Sequence, residues 1–437
     1  MQLPDEYLSP ELMAIGDSMY NGVRALSIND DKAEESPPVF IASALGLPFR
    51  RAEYPALFLY DLESLIYGGI LEDLDTLSSH VIKRAEAMLN GKNWSDKLTF
   101  DNIANGGATI NSLYTDTYED HIKKTDDIIK LMKSNRGLPA LAHLGDLWYS
   151  LNAAYLLNPS RSENNALQRR TFVDWVGVRK PKRLLINIGS NEGLFRSCFT
   201  GEWSETIQAS IADIPKKARM LAEHLLPAVR DVDKIYYNSL VRPRAVPNIG
   251  PRSDFAHTIT CNDYFPSYVA RIIQNGNSIS GEEMKRFDGL IREVNAETKA
   301  VLEEVLGDKV HFVDLYTMSA KYDGKHNCHP GSVVITKSTK TLRLSNHPLT
   351  GILWRDRGGL SSLDNMHPSV VGYGLMAQAV LDVICRVESR QAGQINLQSL
   401  YERDEILQRF PIGLELTKGL LGIATSFISL FKVTAPE

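Results

Sequence analysis

Residues 13–22 read MAIGDSMYNG and place a serine directly after a short apolar run. The run at residues 11–15 predicts a first β-strand, which ends at Gly16 and Asp17. A serine in such a loop is usually a turn former or a helix cap, but a nucleophilic serine lies in the same kind of place. The role of Ser18 therefore depends on whether the rest of the chain supplies chemical partners for it.

Further along the chain, apolar strands alternate with amphipathic helices. Further strands are predicted at residues 100–105, 183–189, 234–240 and 310–314. Helices are predicted at residues 39–47, 71–90, 117–134, 138–157, 208–230, 281–306 and 368–390. This alternation predicts a parallel sheet covered by helices on both faces. The Thr- and Val-rich stretch 333–345 adds a predicted β-hairpin insertion.

Composition excludes several classes of protein. The chain has 437 residues, of which 43% are hydrophobic, and this is enough to bury a large core. Its net charge of −5 offers no basic field for nucleic acid. The first residues have neither the basic nor the apolar region of a signal peptide, which predicts a cytoplasmic protein, with export after signal removal as the alternative.

The cysteines show no metal-binding spacing, and no metal or cofactor is predicted. Free thiols in a reducing compartment are expected, and two disulfides in an exported protein are the alternative. His326, Cys328 and His329 lie close together, but no second group of ligands completes a metal site. The four cysteines are Cys198, Cys261, Cys328 and Cys385.

The domain organisation is predicted as one large domain, residues 1–400, followed by a helical tail, residues 401–437. Apolar residues recur at helical spacing over 413–431. This helix is expected to dock on its own domain, and the alternatives are contact with a membrane surface or with a second copy of the chain. Long inserts are expected to wall or cover a site; they span about 48–100, 135–180, 241–280 and 315–363.

Polar clusters follow several predicted strands. In an open parallel sheet, ligands bind outside the carboxyl ends of the strands, so these clusters are expected to meet. Three of them are Gly16-Asp17-Ser18, Asn105-Gly106-Gly107 and Gly189-Ser190-Asn191. The fourth cluster, residues 364–373, reads DNMHPSVVGY and precedes the last main helix.

Together, the four clusters contain the groups that acyl transfer requires. A serine hydroxyl needs an imidazole to take its proton, and the imidazole needs a carboxylate to fix its tautomer. Ser18, His367 and Asp364 would supply these three groups. The developing oxyanion needs hydrogen-bond donors, which the Ser18 amide, the Gly107 amide and the Asn191 side chain would provide.

These blocks resemble the motifs of the GDSL/SGNH hydrolase family. GDS occupies residues 16–18, GGAT 106–109, GSN 189–191 and DxxHPSxxGY 364–373. The resemblance extends from about residue 11 to 385. It implies a flavodoxin-like, three-layer α/β/α sandwich with a mainly five-stranded parallel sheet, and ester hydrolysis through an acyl-serine. The four letters of the family name fall on Ser18, Gly107, Asn191 and His367.

Some positions depart from the family pattern or leave a choice. Met19 replaces the usual leucine, and Glu192 replaces a common aspartate whose role is supportive. Gly106 and Gly107 are adjacent, and Gly107 is preferred for the oxyanion hole because Ala108 and Thr109 follow it. A second DxxH, formed by Asp323 and His326, lacks the HPSxxGY continuation.

The predicted function is hydrolysis of a small-molecule or lipid ester, with an apolar acyl chain favoured by aromatic residues in the inserts. The alternatives are an acyltransferase that uses the same triad, and a non-catalytic module that binds lipid or an acylated ligand. The aromatic and apolar residues concerned are Phe49, Tyr54, Phe58, Leu59, Tyr60, Phe255, Tyr264, Phe265 and Tyr268.

Overall fold

The computed structural model describes residues 3–55, 58–61, 63–64, 74–91, 94–135, 137–251, 263–273, 275–327, 329–337, 340–347 and 358–408. Its centre is a parallel sheet of four strands in the order β1-β2-β3-β7. The strands are β1 Met13–Gly16, β2 Arg183–Asn187, β3 Lys234–Asn238, β4 Ile249–Pro251, β5 Ser267–Ala270, β6 Ile279–Ser280, β7 Val310–Val313, β8 Val333–Lys337 and β9 Lys340–Leu344.

A further segment, residues 101–105, extends the sheet beyond β1. The amide of Ala14 donates to the Asp101 carbonyl at 2.8 Å, and the amide of Ile103 donates to the Ala14 carbonyl at 3.0 Å. The amide of Asn105 then donates to the Gly16 carbonyl at 2.8 Å. This segment is second along the chain but lies at the sheet edge, next to β1. If the paired segments are numbered 1 to 5 in chain order, their order across the sheet is 2-1-3-4-5, as in flavodoxin-like folds. Where the resemblance implied five strands, the sheet has four, and the further edge segment pairs with β1 through a single bridge.

Each strand sends alternate side chains to opposite faces of the sheet. Leu184 and Ile186 of β2 enter the larger apolar cluster. Leu185 enters the smaller cluster on the other face, together with Phe40 and Val380. Both faces of the sheet are therefore covered, which gives the three-layer α/β/α arrangement.

The helices supply these two outer layers. The larger cluster includes side chains of α4, α6, α8, α10, α13 and α14, and the smaller one those of α3, α16 and α17. The helices are α1 Ser18–Asn21, α2 Asp30–Glu34, α3 Pro37–Ala44, α4 Leu74–Asn90, α5 Ser112–Thr115, α6 Tyr118–Lys133, α7 Gly137–Leu141, α8 Leu144–Leu157, α9 Asn165–Gln168, α10 Phe172–Arg179, α11 Leu194–Thr200, α12 Glu205–Ala212, α13 Ile214–Ala228, α14 Gly281–Leu306, α15 Leu315–Lys321, α16 Val370–Glu388, α17 Leu397–Arg403 and α18 Glu405–Gln408.

Two of the predicted helices are each divided in the structure. The stretch 208–230 forms α12 and α13, with a break at Asp213. Pro215 lies in the first turn of α13, where the missing N–H costs no intrahelical hydrogen bond. The stretch 138–157 forms α7 and α8, and its apolar pattern continues across the break, so periodicity could not reveal it.

The insert 241–280 contains short strands that the sequence did not reveal. Strands β4, β5 and β6 form a small antiparallel sheet in this region. They have three, four and two residues, which is too short for an alternating pattern to stand out. The β-hairpin predicted at 333–345 is present as the pair β8 and β9.

Helix α16 is, among the described residues, long and apolar enough to cross a membrane by composition. Of its most apolar stretch, 61% is buried inside the fold, because the helix packs against α3 and the sheet. Cys198 and Cys385 are free thiols. Cys261, Cys328 and the helix predicted at 413–431 lie outside the described residues.

Candidate active site

The structure brings Ser18, His367 and Asp364 together at the carboxyl edge of the sheet. The distance between His367 Nε2 and Ser18 Oγ is 3.0 Å, and that between His367 Nδ1 and Asp364 Oδ2 is 2.7 Å. Ser18 begins α1 directly after β1, and the other two residues lie in the loop before α16. The three groups thus form a continuous hydrogen-bonded chain from carboxylate to hydroxyl.

The surroundings of Asp364 fix the direction of this chain. Burial alone would raise the pKa of Asp364, but His367 and the amides of Met366 and His367 hold it below its ordinary value. An ionised carboxylate can only accept hydrogen bonds, so His367 Nδ1 carries the proton. His367 Nε2 is then an acceptor for the hydroxyl of Ser18, as a general base must be.

A short loop after α1 holds the other side of Asp364. The amide of Leu26 donates to Asp364 Oδ2 at 3.0 Å, and the amide of Ala25 donates to Ser362 Oγ at 3.1 Å. Ser362 in turn donates to Asp364 Oδ1 at 2.9 Å. Ala25 and Leu26 adopt positive φ angles of 46° and 55°, which are uncommon for residues with a side chain. This strained loop is stabilised by the hydroxyl of Tyr60, which donates to the Leu26 carbonyl.

Asp17 lies beneath the serine and links three strand ends. Its Oδ1 accepts from the Met19 amide at 3.1 Å, which caps α1, and from Asn187 Nδ2 at 2.7 Å. The Asn187 side chain accepts from Asn238 Nδ2 at 2.9 Å. Asp17 directly follows β1, and Asn187 and Asn238 end β2 and β3, so these hydrogen bonds set the relative positions of the loops that carry the site. Asp17 is fully buried, and burial raises its pKa to about 6.

Replacing Asp17 by asparagine should change how stability depends on pH. Because the folded-state pKa exceeds the ordinary value of 3.8, folding favours the protonated form, and ionisation costs stability as the pH rises toward 6. The free energy of unfolding of Asp17→Asn minus that of wild type should rise by up to about 3 kcal/mol between pH 4 and pH 6.5, then stay constant. Urea unfolding of both proteins at several pH values measures this difference. If the free energies of unfolding of the two proteins changed with pH in the same way, the pKa of Asp17 would not be raised in the folded state.

The predicted oxyanion donors line the cavity at Ser18. The Ser18 amide is the first of α1, where a helix leaves its N–H groups without intrahelical partners. Asn191 Nδ2 donates to the Ala108 carbonyl at 2.9 Å, which occupies one of its two hydrogens and leaves the other available. The amide of Gly107 donates to no described residue. Ser18, Gly107 and Asn191 all line the same cavity.

The adjacent glycines Gly106 and Gly107 have different roles. A Cβ on Gly106 would lie 2.1 Å from the Trp148 ring, so this position must be glycine for Trp148 to pack there. Gly107 has a φ of 84°, in the left-handed region that favours glycine, and a Cβ there would lie 3.2 Å from Tyr149. Gly106 is thus required for the packing of Trp148, and Gly107 stays the preferred candidate for the backbone that faces the oxyanion.

Glu192 holds the Gly107 loop against the Asn191 turn. Its Oε1 accepts from the Ile110 amide at 2.9 Å, and its Oε2 forms an ion pair with Lys217. Glu192 is buried, so this pair is shielded from solvent. The acid that follows Asn191 therefore supports two of the three oxyanion donors.

Replacing Asn191 by alanine should remove one oxyanion donor. We expect kcat on an activated ester to fall by about 10²–10³-fold with a small change in KM, because the donor acts mainly in the transition state. Steady-state kinetics measure the effect, and thermal unfolding checks that the lost bond to Ala108 has not loosened the loop. A change in KM with kcat unchanged would contradict this role.

A cavity of about 300 Å³ opens at Ser18 and His367. Part of its lining is apolar. Val23 and Leu26 come from the loop after α1, Phe195 comes from α11, and Tyr60 adds its ring. The insert 135–180 adds Gly145, Asp146, Trp148 and Tyr149 from α8. The remaining wall, from 109–116 and α6, is polar: Thr109, Asn111, Ser112, Thr115, Asp116 and Lys124.

Most aromatic residues predicted to favour an acyl chain do not line this cavity. Tyr54, Phe58, Phe265 and Tyr268 are buried in the core, and among the described members of the set only Tyr60 lines the cavity. Phe255 lies outside the described residues. Trp148 and Tyr149, which do line the cavity, lie in the insert 135–180, but the apolar pattern of their helix did not single out these two residues.

The second DxxH forms a separate, buried network. Asp323 Oδ2 lies 2.8 Å from His326 Nδ1, and His326 Nε2 lies 2.9 Å from the hydroxyl of Tyr268. His326 is fully buried, and burial lowers its pKa while Asp323 opposes this. No group of three or more potential metal ligands is found among the described residues. This pair therefore braces the small sheet.

Comparison with protein-family models matches residues 12–380 to the family described as GDSL-like Lipase/Acylhydrolase. The matched range covers most of the chain and contains all four motif blocks. The chain belongs to the GDSL-like lipase/acylhydrolase family, and this membership indicates hydrolase activity, with ester hydrolysis or acyl transfer as the kinds of chemistry it suggests. No curated protein and no solved structure matches the chain.

Proposed function

We propose that the protein is a serine-dependent carboxylic ester hydrolase that works through an acyl-serine intermediate. The observation that carries the proposal is the hydrogen-bonded chain from Asp364 through His367 to Ser18, which opens on a cavity. The family membership supports the same chemistry at a coarser level.

In the first half of the reaction, Ser18 Oγ attacks the ester carbonyl carbon while His367 Nε2 takes the hydroxyl proton. Asp364 stabilises the imidazolium that forms. The carbonyl oxygen becomes an oxyanion between the amides of Ser18 and Gly107 and the Asn191 side chain. As the C–O bond to the leaving group breaks, Nε2 returns its proton to the departing alcohol.

In the second half, a water molecule attacks the acyl-serine carbonyl and gives its proton to His367 Nε2. The tetrahedral intermediate collapses, the ester bond to Ser18 breaks, and Nε2 returns the proton to Ser18 Oγ. The carboxylic acid product leaves, and the enzyme is restored. No step requires a group beyond these residues and water.

The apolar side chains Val23, Leu26 and Phe195 in the cavity support an apolar portion of the substrate next to the ester. We propose that this portion is short to medium in length, because a cavity of about 300 Å³ lies at the small end of ligand pockets. An acyl-chain series of p-nitrophenyl esters, from acetate to palmitate, should therefore show a rate optimum below the longest chains.

Rapid mixing with p-nitrophenyl butyrate tests the acyl-serine directly. We expect a burst of p-nitrophenol close to one equivalent per active site when deacylation is slow, followed by steady release of butyrate. An added alcohol that diverts most of the acyl group into a new ester would favour the transferase alternative. The absence of turnover and burst on every ester of the series would contradict the proposal and favour a non-catalytic module.

A further inference from the structure

One carboxylate in the cavity wall has no hydrogen-bond or ion-pair partner among the described residues. Asp146 lies in the first turn of α8 and lines the cavity that contains Ser18 and His367. Within the described part of the chain, its carboxylate accepts no hydrogen bond and forms no ion pair. It is half-buried, and burial raises its pKa, while Lys124 and His143 oppose this. A partly desolvated carboxylate without a donor is costly unless a ligand supplies one.

The other carboxylate of the wall is already satisfied. Asp116 Oδ2 accepts from the Tyr149 hydroxyl at 2.6 Å, and Asp116 Oδ1 accepts from Thr115 at 2.9 Å. His121 Nε2 lies 3.1 Å from Asp116 Oδ2. Asp116 therefore positions Tyr149, which packs over Gly107, whereas Asp146 is left to face the cavity.

The charge balance of the wall indicates what Asp146 would bind. Lys124 lines the same cavity, and its ammonium lies 5.5 Å from the centre of the Tyr149 ring. Its charge opposes that of Asp146, and the second carboxylate of the wall, Asp116, already accepts hydrogen bonds from Thr115 and Tyr149, so the wall does not strongly favour a cation. The neighbouring groups Thr109, Asn111 and Thr115 are neutral donors and acceptors. This combination suits a neutral hydroxyl group.

We propose that Asp146 is a specificity residue that accepts a hydrogen bond from a hydroxyl group on the substrate. The enzyme would then prefer esters whose cavity-bound portion carries a hydroxyl over plain alkyl esters of equal length. The apolar lining would hold the chain next to the ester, and the polar wall would hold its hydroxyl end. This inference rests on the proposed ester hydrolysis, because it deepens the specificity of that site.

Two matched series of substrates test the proposal, one for each side of the ester. The first compares p-nitrophenyl alkanoates with their terminal hydroxy analogues, over chains of about four to eight carbons that a pocket of this size can hold. The second compares alkyl acetates with acetates of the corresponding terminal diols, and the reaction is measured as release of acetate. In wild type, we expect kcat/KM for the hydroxylated partner to be higher by about 10- to 100-fold in at least one series.

The variant Asp146→Ala should abolish this preference, so that hydroxylated and plain esters of equal length are hydrolysed with similar kcat/KM. Asp127→Asn is the matched control, because Asp127 is exposed on α6 and does not line the cavity. It should keep the preference. Thermal unfolding of both variants checks the fold.

Each outcome decides the proposal. Equal rates for hydroxylated and plain esters in both series, or a preference that survives in Asp146→Ala, would overturn the role of Asp146. A stronger preference for analogues with a terminal ammonium group would overturn the claim that Asp146 binds a neutral hydroxyl. If wild type hydrolyses none of the esters, the proposed function itself fails, and this result is distinct from hydrolysis without selectivity.

Discussion

Replacing Ser18 by alanine should lower kcat on p-nitrophenyl esters by about 10⁴- to 10⁶-fold. The hydroxyl of Ser18 is the group that His367 Nε2 contacts at 3.0 Å, so its removal eliminates the nucleophile and leaves only the oxyanion donors. The fold should persist, because Ser18 Oγ makes no other hydrogen bond to a described residue. Steady-state kinetics and thermal unfolding measure the two effects separately.

Ser190→Ala is the matched control for this variant. Ser190 follows β2 at the same edge of the sheet, but its side chain makes no hydrogen bond to a described residue. It should retain activity within a few-fold of wild type. If Ser18→Ala hydrolysed the esters as fast as Ser190→Ala, the acyl-serine account would be wrong.

Replacing Asp364 by asparagine should cost about 10⁴-fold in kcat, because it should reverse the tautomer of His367. Asp364 Oδ1 accepts three hydrogen bonds, from Ser362 Oγ and from the amides of Met366 and His367. The single oxygen of asparagine is needed at that position. Its NH₂ group must then face His367 Nδ1 and donate to it. The remaining ring proton moves to Nε2, which can no longer accept the proton of Ser18.

The same substitution in the second Asp–His pair, Asp323→Asn, is the control. Asp323 and His326 have the same spacing and a similar distance of 2.8 Å, but they are bonded to Tyr268 rather than to Ser18. This variant should unfold at a lower temperature and keep kcat close to wild type at temperatures where it is folded. Comparable losses of kcat in both folded variants would contradict the assigned role of Asp364. A proton NMR signal from the His367 ring would report the tautomer directly.

The sequence indicated which residues meet at the candidate site because strand ends in a parallel sheet meet at one edge. Ser18, Asn105 and Asn191 each lie at or just after such an end, so recognising the strands was enough to bring them together. His367 lies outside the strands, and its placement required the motif before α16. These few polar residues lie in short motifs with fixed spacing, so the sequence alone is enough to recognise them.

The wall of the cavity could not be predicted in the same way. Trp148 and Asp146 belong to α8, whose sequence is dominated by core leucines, and nothing in that pattern shows which turn reaches the cavity. The close fit of Trp148 onto Gly106 depends on the docking of two elements that lie far apart in the chain. Tertiary packing of this kind leaves no periodic trace in the sequence.

Positioning groups were also invisible in the sequence. The Leu26 amide reaches Asp364 only because Ala25 and Leu26 adopt positive φ angles, which neither residue type favours. Sequence reasoning finds such conformations through glycine or asparagine, and neither occurs at these two positions. Strained backbone at a functional site is held by its surroundings, here by Tyr60 and Tyr373.

The central claim is that Ser18 is a nucleophile activated by His367 and Asp364. Mass spectrometry after treatment with a fluorophosphonate tests it most directly, because Ser18 Oγ would displace fluoride and retain the phosphonyl group. We expect one adduct per chain, located on the peptide that contains Ser18 and absent from Ser18→Ala. Labelling of another residue, or ester hydrolysis by a protein that takes no label at Ser18, would contradict the claim.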